Sequence, residues 1–137
     1  MSFLFALALQ QAALPLAEVL PASDKAVVDH IDALYRGDLD GALAFVADDV
    51  ENTVTNLVQT TRLPRGRVIA KAAYLAATNR GKLTLSHFDC KMEGVAVRCD
   101  LLFGTDGEQR KFVMRYWADS GPITRIYSWE DHEERSK

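Results

Sequence analysis

His30 is the first residue of this sequence whose type and position could support chemistry. It stands among Val27, Ile31 and Leu34, at the spacing that marks the buried face of a helix. A half-buried imidazole can act as a general acid or base near neutral pH, or donate a hydrogen bond to a ligand oxygen. It can equally be a core histidine whose nitrogens are satisfied within the protein. The sequence alone leaves both interpretations open.

The remaining motifs exclude several kinds of chemistry. The sequence has no glycine-rich phosphate loop, no GxSxG, no CxxC and no HExxH. His87 lies in LSHFDC, and His132 lies in the charged tail over 132–137. We therefore expect neither a metal site nor a cofactor, and metal-dependent hydrolysis and nucleotide chemistry are disfavoured.

Composition predicts a single globular domain. The chain has 137 residues, of which 48% are hydrophobic and 26% are charged. The net charge of −3 argues against a nucleic-acid partner. The one basic cluster, Arg62, Arg65 and Arg67, is interpreted as a solvated loop.

Residues 1–22 form a separate segment. The apolar run over 3–9 followed by small residues resembles a short signal peptide, which predicts a periplasmic or secreted protein. The run is too short and too interrupted for a membrane span. The alternative is an N-terminal helix that packs on the domain of a cytoplasmic protein. Pro21 predicts an extended linker over 18–22.

Helical and strand patterns divide the rest of the chain, with the domain over 23–131. Gly37 is expected to end the first helix and Asp38 to cap the second, while Ser23 is the expected cap of the first. Helices are predicted over 24–36, 39–47 and 68–79, and strands over 50–59, 82–92, 95–103, 108–118 and 123–130. The short connections between the last four strands predict an antiparallel meander. The fold class is α+β, with helices covering one face of a curved sheet.

At this point the chain resembles a known family. The segments YRGDLDGALAFVADDV and RGRVIAKAAYLA, followed by four strands ending in ITRIYSW, are similar to the nuclear transport factor 2-like superfamily. That superfamily includes SnoaL-like polyketide cyclases and ketosteroid isomerase. The resemblance covers residues 24–130. It implies a cone-shaped pocket between helices and sheet, and commonly a dimer through the outer face of the sheet.

Ketosteroid isomerase uses an Asp as base, with a Tyr and a protonated Asp holding the oxyanion. The resemblance puts His30 at the position of that Tyr, Val54 at the base and Phe112 at the second Asp. None of the three groups is retained. Tyr74 matches a supporting Tyr, so the resemblance makes it the expected partner of His30.

The expected ligand contacts are Val54, His87, Phe112, Met114 and Tyr116. His87 belongs to an HF pair that is common at this strand in related sequences, and its orientation stays open because a bulge is expected nearby.

The opposite face of the strand over 108–118 carries Val113, Arg115 and Trp117. Large side chains on both faces suit a pocket on one side and a second subunit on the other. We therefore expect a homodimer anchored by Trp117.

The leading interpretation is a domain that binds a small, largely apolar molecule without isomerase activity. One alternative is a lyase, isomerase or cyclase that uses His30 and Tyr74 as an acid–base pair. Another is a dimerisation module with a filled pocket.

Cys90 and Cys99 lie on neighbouring predicted strands. A Glu93-Gly94 turn, which this dipeptide favours, makes them diagonal neighbours about 7 to 8 Å apart, too far for easy bonding. A loop over 93–96 would instead place them directly opposite and allow a disulfide. An exported protein would favour the bond.

Overall fold

The structure is a computed structural model that describes residues 14–56, 59–105 and 107–131. The chain enters through helix α1 and a 3-10 turn over Ala22–Asp24. The helices are α1 Leu14–Val19, α2 Lys25–Tyr35, α3 Leu39–Leu43 and α4 Arg67–Ala77. The strands are β1 Val46–Thr55, β2 Thr60–Arg62, β3 Thr84–Glu93, β4 Ala96–Thr105, β5 Glu108–Trp117 and β6 Ile123–Glu130.

The strands form one sheet in the order β2-β1-β6-β5-β4-β3. Strands β3 to β6 pair with antiparallel neighbours, which confirms the predicted meander. Strand β1 joins β6 in parallel, and β2 pairs antiparallel with β1 at the edge. The helices precede and cover this sheet, so the α+β class is confirmed.

Helix α2 forms because its apolar residues recur on one face, and that face is buried. Val27 and Ile31 are fully buried, and Leu34 and His30 are nearly so. Burial of an aliphatic side chain of this size contributes about 1.5 to 3 kcal/mol, so the stripe holds α2 firmly in the core.

The junction between α2 and α3 follows the sequence prediction. Gly37 has a positive φ of 79°, and the Oδ1 of Asp38 accepts a hydrogen bond from the Gly41 backbone nitrogen at 2.9 Å. The expected Ser23 cap is wrong. Ser23 lies inside the 3-10 turn, and Asp24 is the residue that precedes α2.

The predicted second helix is too long, because its last residues belong to strand β1 of the sheet. Val46 pairs with Ile123 on β6, and the Ile123 backbone nitrogen donates to the Phe45 carbonyl at 2.9 Å. Strand β1 therefore begins at Val46 rather than Val50. Strand β2 lies in a segment where the sequence predicted a loop.

Residues 18–22 are not an extended linker. Glu18 and Val19 belong to α1, whose Leu16 joins Leu20 in the hydrophobic core. The local pattern is too short to predict this helix, because its stability comes from packing on the domain. Residues 1–13 of the predicted leader lie outside the described residues, as does the tail over 132–137. In the described part of the chain, no helix is long and apolar enough to cross a membrane.

The hairpin between β3 and β4 differs from the favoured prediction. Glu93 pairs with Ala96, so Gly94 and Val95 form the turn, and Cys90 lies directly opposite Cys99. The two cysteines form a disulfide. Gly94 has a positive φ of 66° in the first central position of the turn, where a type II′ hairpin requires glycine.

Candidate functional site

A cavity of about 470 Å³ lies between the helices and the inner face of the sheet. Helices α2, α3 and α4 form one wall, and strands β1, β4, β5 and β6 form the other. Most of the lining is apolar. The aliphatic and aromatic side chains include Leu34, Leu39, Leu43, Val54, Leu63, Leu101, Phe103, Phe112, Met114 and Ile126.

Strand β5 supplies the longest row of lining residues. Because neighbouring side chains of a strand point to opposite faces, Arg110, Phe112, Met114 and Tyr116 all line the cavity. Arg110 and Tyr116 are six positions apart, which corresponds to about 20 Å along a strand. The cavity is therefore elongated along β5.

His30 lines the inner end of this cavity and is only 5% exposed. Its Nδ1 lies 2.8 Å from the carbonyl oxygen of Ala42 at the end of α3. Burial lowers the pKa of His30 from 6.5 to about 4. The ring is therefore neutral at pH 7, with Nδ1 donating to Ala42 and Nε2 left as an acceptor.

The His30 ring packs edge-on against Tyr116, with 5.3 Å between ring centroids. Its hydrogen bond thus goes to a backbone carbonyl and not to Tyr74, the expected partner. Tyr74 lines the cavity from α4 and packs on Phe103. Burial raises the pKa of Tyr74 to about 12, so its hydroxyl stays protonated.

Two polar side-chain atoms of the cavity wall are buried without a hydrogen-bond partner among the described residues. They are the Oδ1 of Asn52 on β1 and the hydroxyl of Tyr116 on β5. Burial, and to a lesser degree the nearby Tyr74, raises the pKa of Tyr116, so this phenol is neutral as well. Asn52 was not predicted as a site residue, although its place between Val50 and Val54 on the apolar face of the strand was a usable signal.

An ion pair stands at the other end of the cavity. Arg110 donates to both carboxylate oxygens of Glu130, at 2.7 and 3.1 Å, and to the Ala77 carbonyl at 2.6 Å. The hydrogen bond with Glu130 is the main reason that the pKa of Arg110 is raised. Because Glu130 neutralises the guanidinium, this end offers no uncompensated positive charge. The pair was not predicted from the sequence, because it depends on the register between β5 and β6.

The structure also places the other site residues that were predicted from the sequence. Val54, Phe112, Met114 and Tyr116 line the cavity, whereas His87 is exposed on β3 and does not. The pairing of β3 with β4 shifts between Leu85 and His87, which is the expected bulge. His132 lies outside the described residues. Among the described residues, no group of three or more His, Cys, Asp or Glu side chains is placed to hold a metal.

Comparisons with known proteins identify the fold. No family model matches the sequence, and no curated protein matches it. Solved structures do match. A candidate ketosteroid isomerase from Kribbella flavida has a TM-score of 0.62 and 14% identity, over 80% of this chain and 78% of that one.

A candidate polyketide cyclase from Xanthomonas campestris gives a TM-score of 0.58 with 22% identity, over 83% of this chain and 93% of its own. A nuclear transport factor 2-like protein from Burkholderia xenovorans gives 0.57 with 16% identity, over 80% and 83%. The chain therefore has the nuclear transport factor 2-like fold, which the sequence resemblance had predicted.

Proposed function

We propose that the protein binds a small, largely apolar molecule in the cavity between its helices and its sheet. The observation that carries the proposal is the cavity of about 470 Å³, whose walls are mostly apolar and whose polar side chains are few. This combination is typical of sites where apolar walls supply affinity and a few polar groups fix orientation. Val54, Phe112, Met114 and Tyr116 would contact the ligand, with His30 and Tyr74 near its polar end.

The state of His30 supports binding over acid–base catalysis. A pKa of about 4 makes the imidazole a weak base at pH 7 and leaves almost none of its acid form. Its Nδ1 bonds to Ala42 rather than to a carboxylate that would strengthen it as a base. A lyase, isomerase or cyclase mechanism through His30 and Tyr74 is therefore the less favoured function.

Steroid isomerisation is not expected either. That reaction needs a base near the carbon and hydrogen-bond donors on the carbonyl oxygen. Val54 and Phe112 line the cavity and correspond by resemblance to the two catalytic carboxyl positions, and neither side chain can exchange a proton. Turnover of a 3-ketosteroid by the purified protein would contradict this part of the proposal.

Ligand-induced thermal shifts across apolar ketones, acids, alcohols and sterols test the binding proposal. Compounds that fit are expected to stabilise the wild type, and His30→Ala and Tyr74→Phe should each weaken their binding about fivefold or more. Tyr35→Phe is the matched control, because Tyr35 packs on Phe88 outside the cavity lining. If compounds bind and both cavity variants bind them as the wild type does, His30 and Tyr74 do not belong to the ligand site.

We also propose a homodimer through the outer face of the sheet. Arginines stack on tryptophans there, with the Arg125 guanidinium 4.4 Å from the centre of Trp117 and that of Arg115 5.2 Å from Trp129. Trp, Tyr and Arg are the residues most enriched in interfaces. Val113 is already covered within the monomer, so Trp117 is the better anchor.

Light scattering is expected to report a dimer at concentrations of tens of micromolar. Trp117→Ala should shift the protein toward monomer, whereas Val68→Ala, an exposed apolar change on α4, should not. A wild-type monomer at these concentrations would remove the dimer proposal.

A periplasmic or secreted location is the last part of the proposal. It is supported by the disulfide between Cys90 and Cys99, since such bonds persist in oxidising compartments, and by the apolar run over 3–9 that resembles a short signal peptide. Recovery of the full-length chain only from the cytoplasmic fraction of expressing cells would contradict it.

A further inference from the structure

The inner end of the cavity contains polar atoms that lack a partner. The Oδ1 of Asn52 and the hydroxyl of Tyr116 form no hydrogen bond with the described part of the chain, although Asn52 is only 6% exposed and Tyr116 is wholly buried. Buried polar atoms in folded proteins almost always have a partner, because leaving one unpaired is costly. Because both residues line the cavity, a group bound inside it is the candidate partner for both.

Strand register brings the two side chains to one place. Asn52 pairs with Ile126, and Ile126 pairs with Tyr116, so the two residues flank Ile126 on three adjacent strands. Their α-carbons are therefore about 10 Å apart, and their side chains share the cavity face. A polar group bound over Ile126 would lie between these two side chains. The His30 ring, in contact with Tyr116, borders the same space.

The hydrogen-bonding capacity of these three residues defines the group that they can accept. Asn52 Oδ1 is an acceptor, and so is His30 Nε2, because Nδ1 donates to Ala42. Tyr116 can donate or accept. The missing partner must therefore carry a hydrogen-bond donor.

The charges of the residues that line the cavity further restrict the chemical class of the ligand. His30 and Tyr116 are neutral at pH 7, and the guanidinium that lines the cavity, Arg110, is held by Glu130. An anion would lose its hydration in this cavity without meeting an uncompensated positive charge. A carboxylate is thus a poor ligand for this end.

Building on the proposed binding function, we propose that the ligand is a neutral alcohol or phenol. Its hydroxyl donates to Asn52 Oδ1 and accepts from the Tyr116 hydroxyl, while its apolar body lies along β5. An ether or a ketone could accept from Tyr116 but would leave Asn52 unpaired.

Calorimetric titration with three matched probes tests this: 4-phenylphenol, its methyl ether, and biphenyl-4-carboxylate. The phenol is expected to bind the wild type about tenfold or more tighter than either the ether or the carboxylate. Asn52→Leu should reduce the phenol-to-ether preference to near one, because the preference depends on donation to Asn52 Oδ1. Tyr116→Phe should weaken the phenol and the ether alike and keep the preference, because the Tyr116 hydroxyl donates to the oxygen of either probe. Tyr35→Phe, which removes a hydroxyl from a residue outside the cavity lining, is the matched control and should leave both affinities unchanged.

The outcomes separate this inference from the proposed function. If the phenol and the ether bind the wild type equally, water rather than the ligand forms the hydrogen bonds with Asn52 and Tyr116. The inference is then wrong, while binding in the cavity stands. If none of the three probes binds, the binding function and the inference both fall.

Stability without ligand gives an independent readout. Tyr116→Phe removes a buried hydroxyl that has no partner, so the free energy of unfolding is expected to stay the same or rise. A clear loss of stability would show that the hydroxyl already has a partner within the protein, which would overturn the inference.

Discussion

Lowering the pH from 6.5 to about 4 is expected to remove about 3 kcal/mol from the free energy of unfolding through His30 alone. The folded-state pKa of His30 lies below its unfolded value, because burial disfavours the charged ring. Above pH 6.5 the imidazole of His30 is neutral in both the folded and the unfolded state, and its contribution to the free energy of unfolding is fully present. Between 6.5 and about 4 only the unfolded chain binds the proton, so stability falls.

Urea unfolding across this pH window measures the effect. His30→Gln keeps a donor for Ala42 but does not titrate, so its stability should depend less on pH than that of the wild type, by about 3 kcal/mol over the window. His87→Gln, at an exposed strand position, is the control and should keep the wild-type dependence. Equal pH dependence of stability in His30→Gln and the wild type would show that His30 is not buried in its neutral form.

Loss of the disulfide between Cys90 and Cys99 is the second large expected effect. The bond closes a loop with a sequence separation of 9, for which chain entropy predicts a contribution of about 2 to 3 kcal/mol. Reduction of the wild type should lower the free energy of unfolding by this amount. The variant Cys90→Ala/Cys99→Ala should lose at least as much, because it also removes two buried sulfur atoms.

Reductant separates the bond from the packing of its sulfur atoms. It should destabilise the wild type and leave the double alanine variant unchanged, since every cysteine of the chain is in that bond. Thiol titration of the unfolded, non-reduced wild type should detect no free thiol. Finding two free thiols would show that the bond does not form, and would also withdraw its support for an oxidising compartment.

Local sequence patterns predicted helix α2, its junction with α3 and the four-strand meander, but not α1 or β2. Helical spacing around Val27 and Ile31 identified α2, Gly37 and Asp38 located the junction with α3, and alternation with short turns predicted the meander. These signals are local, because the spacing of apolar residues and the conformational preferences of Gly and Asp depend on few neighbours. The resemblance then supplied the fold, and structural similarity confirms it.

Features that depend on strand register or on packing between distant segments were set by the tertiary structure. The turn between β3 and β4 lies one residue later than the sequence favoured. This shift places Cys90 directly opposite Cys99, where the two form a disulfide, rather than diagonal to it. The parallel pairing of β1 with β6 began β1 at Val46 and brought Asn52 into a row with Tyr116.

The environment of His30 was likewise a tertiary outcome. The sequence placed an imidazole in an apolar stripe, but only the packing of α2 on α3 gave it the Ala42 carbonyl as a partner. Burial then fixed its charge, since desolvation depends on every segment that surrounds the ring. The sequence of α2 determines that His30 lies on the buried face of the helix, whereas its protonation state depends on all the segments that pack around it.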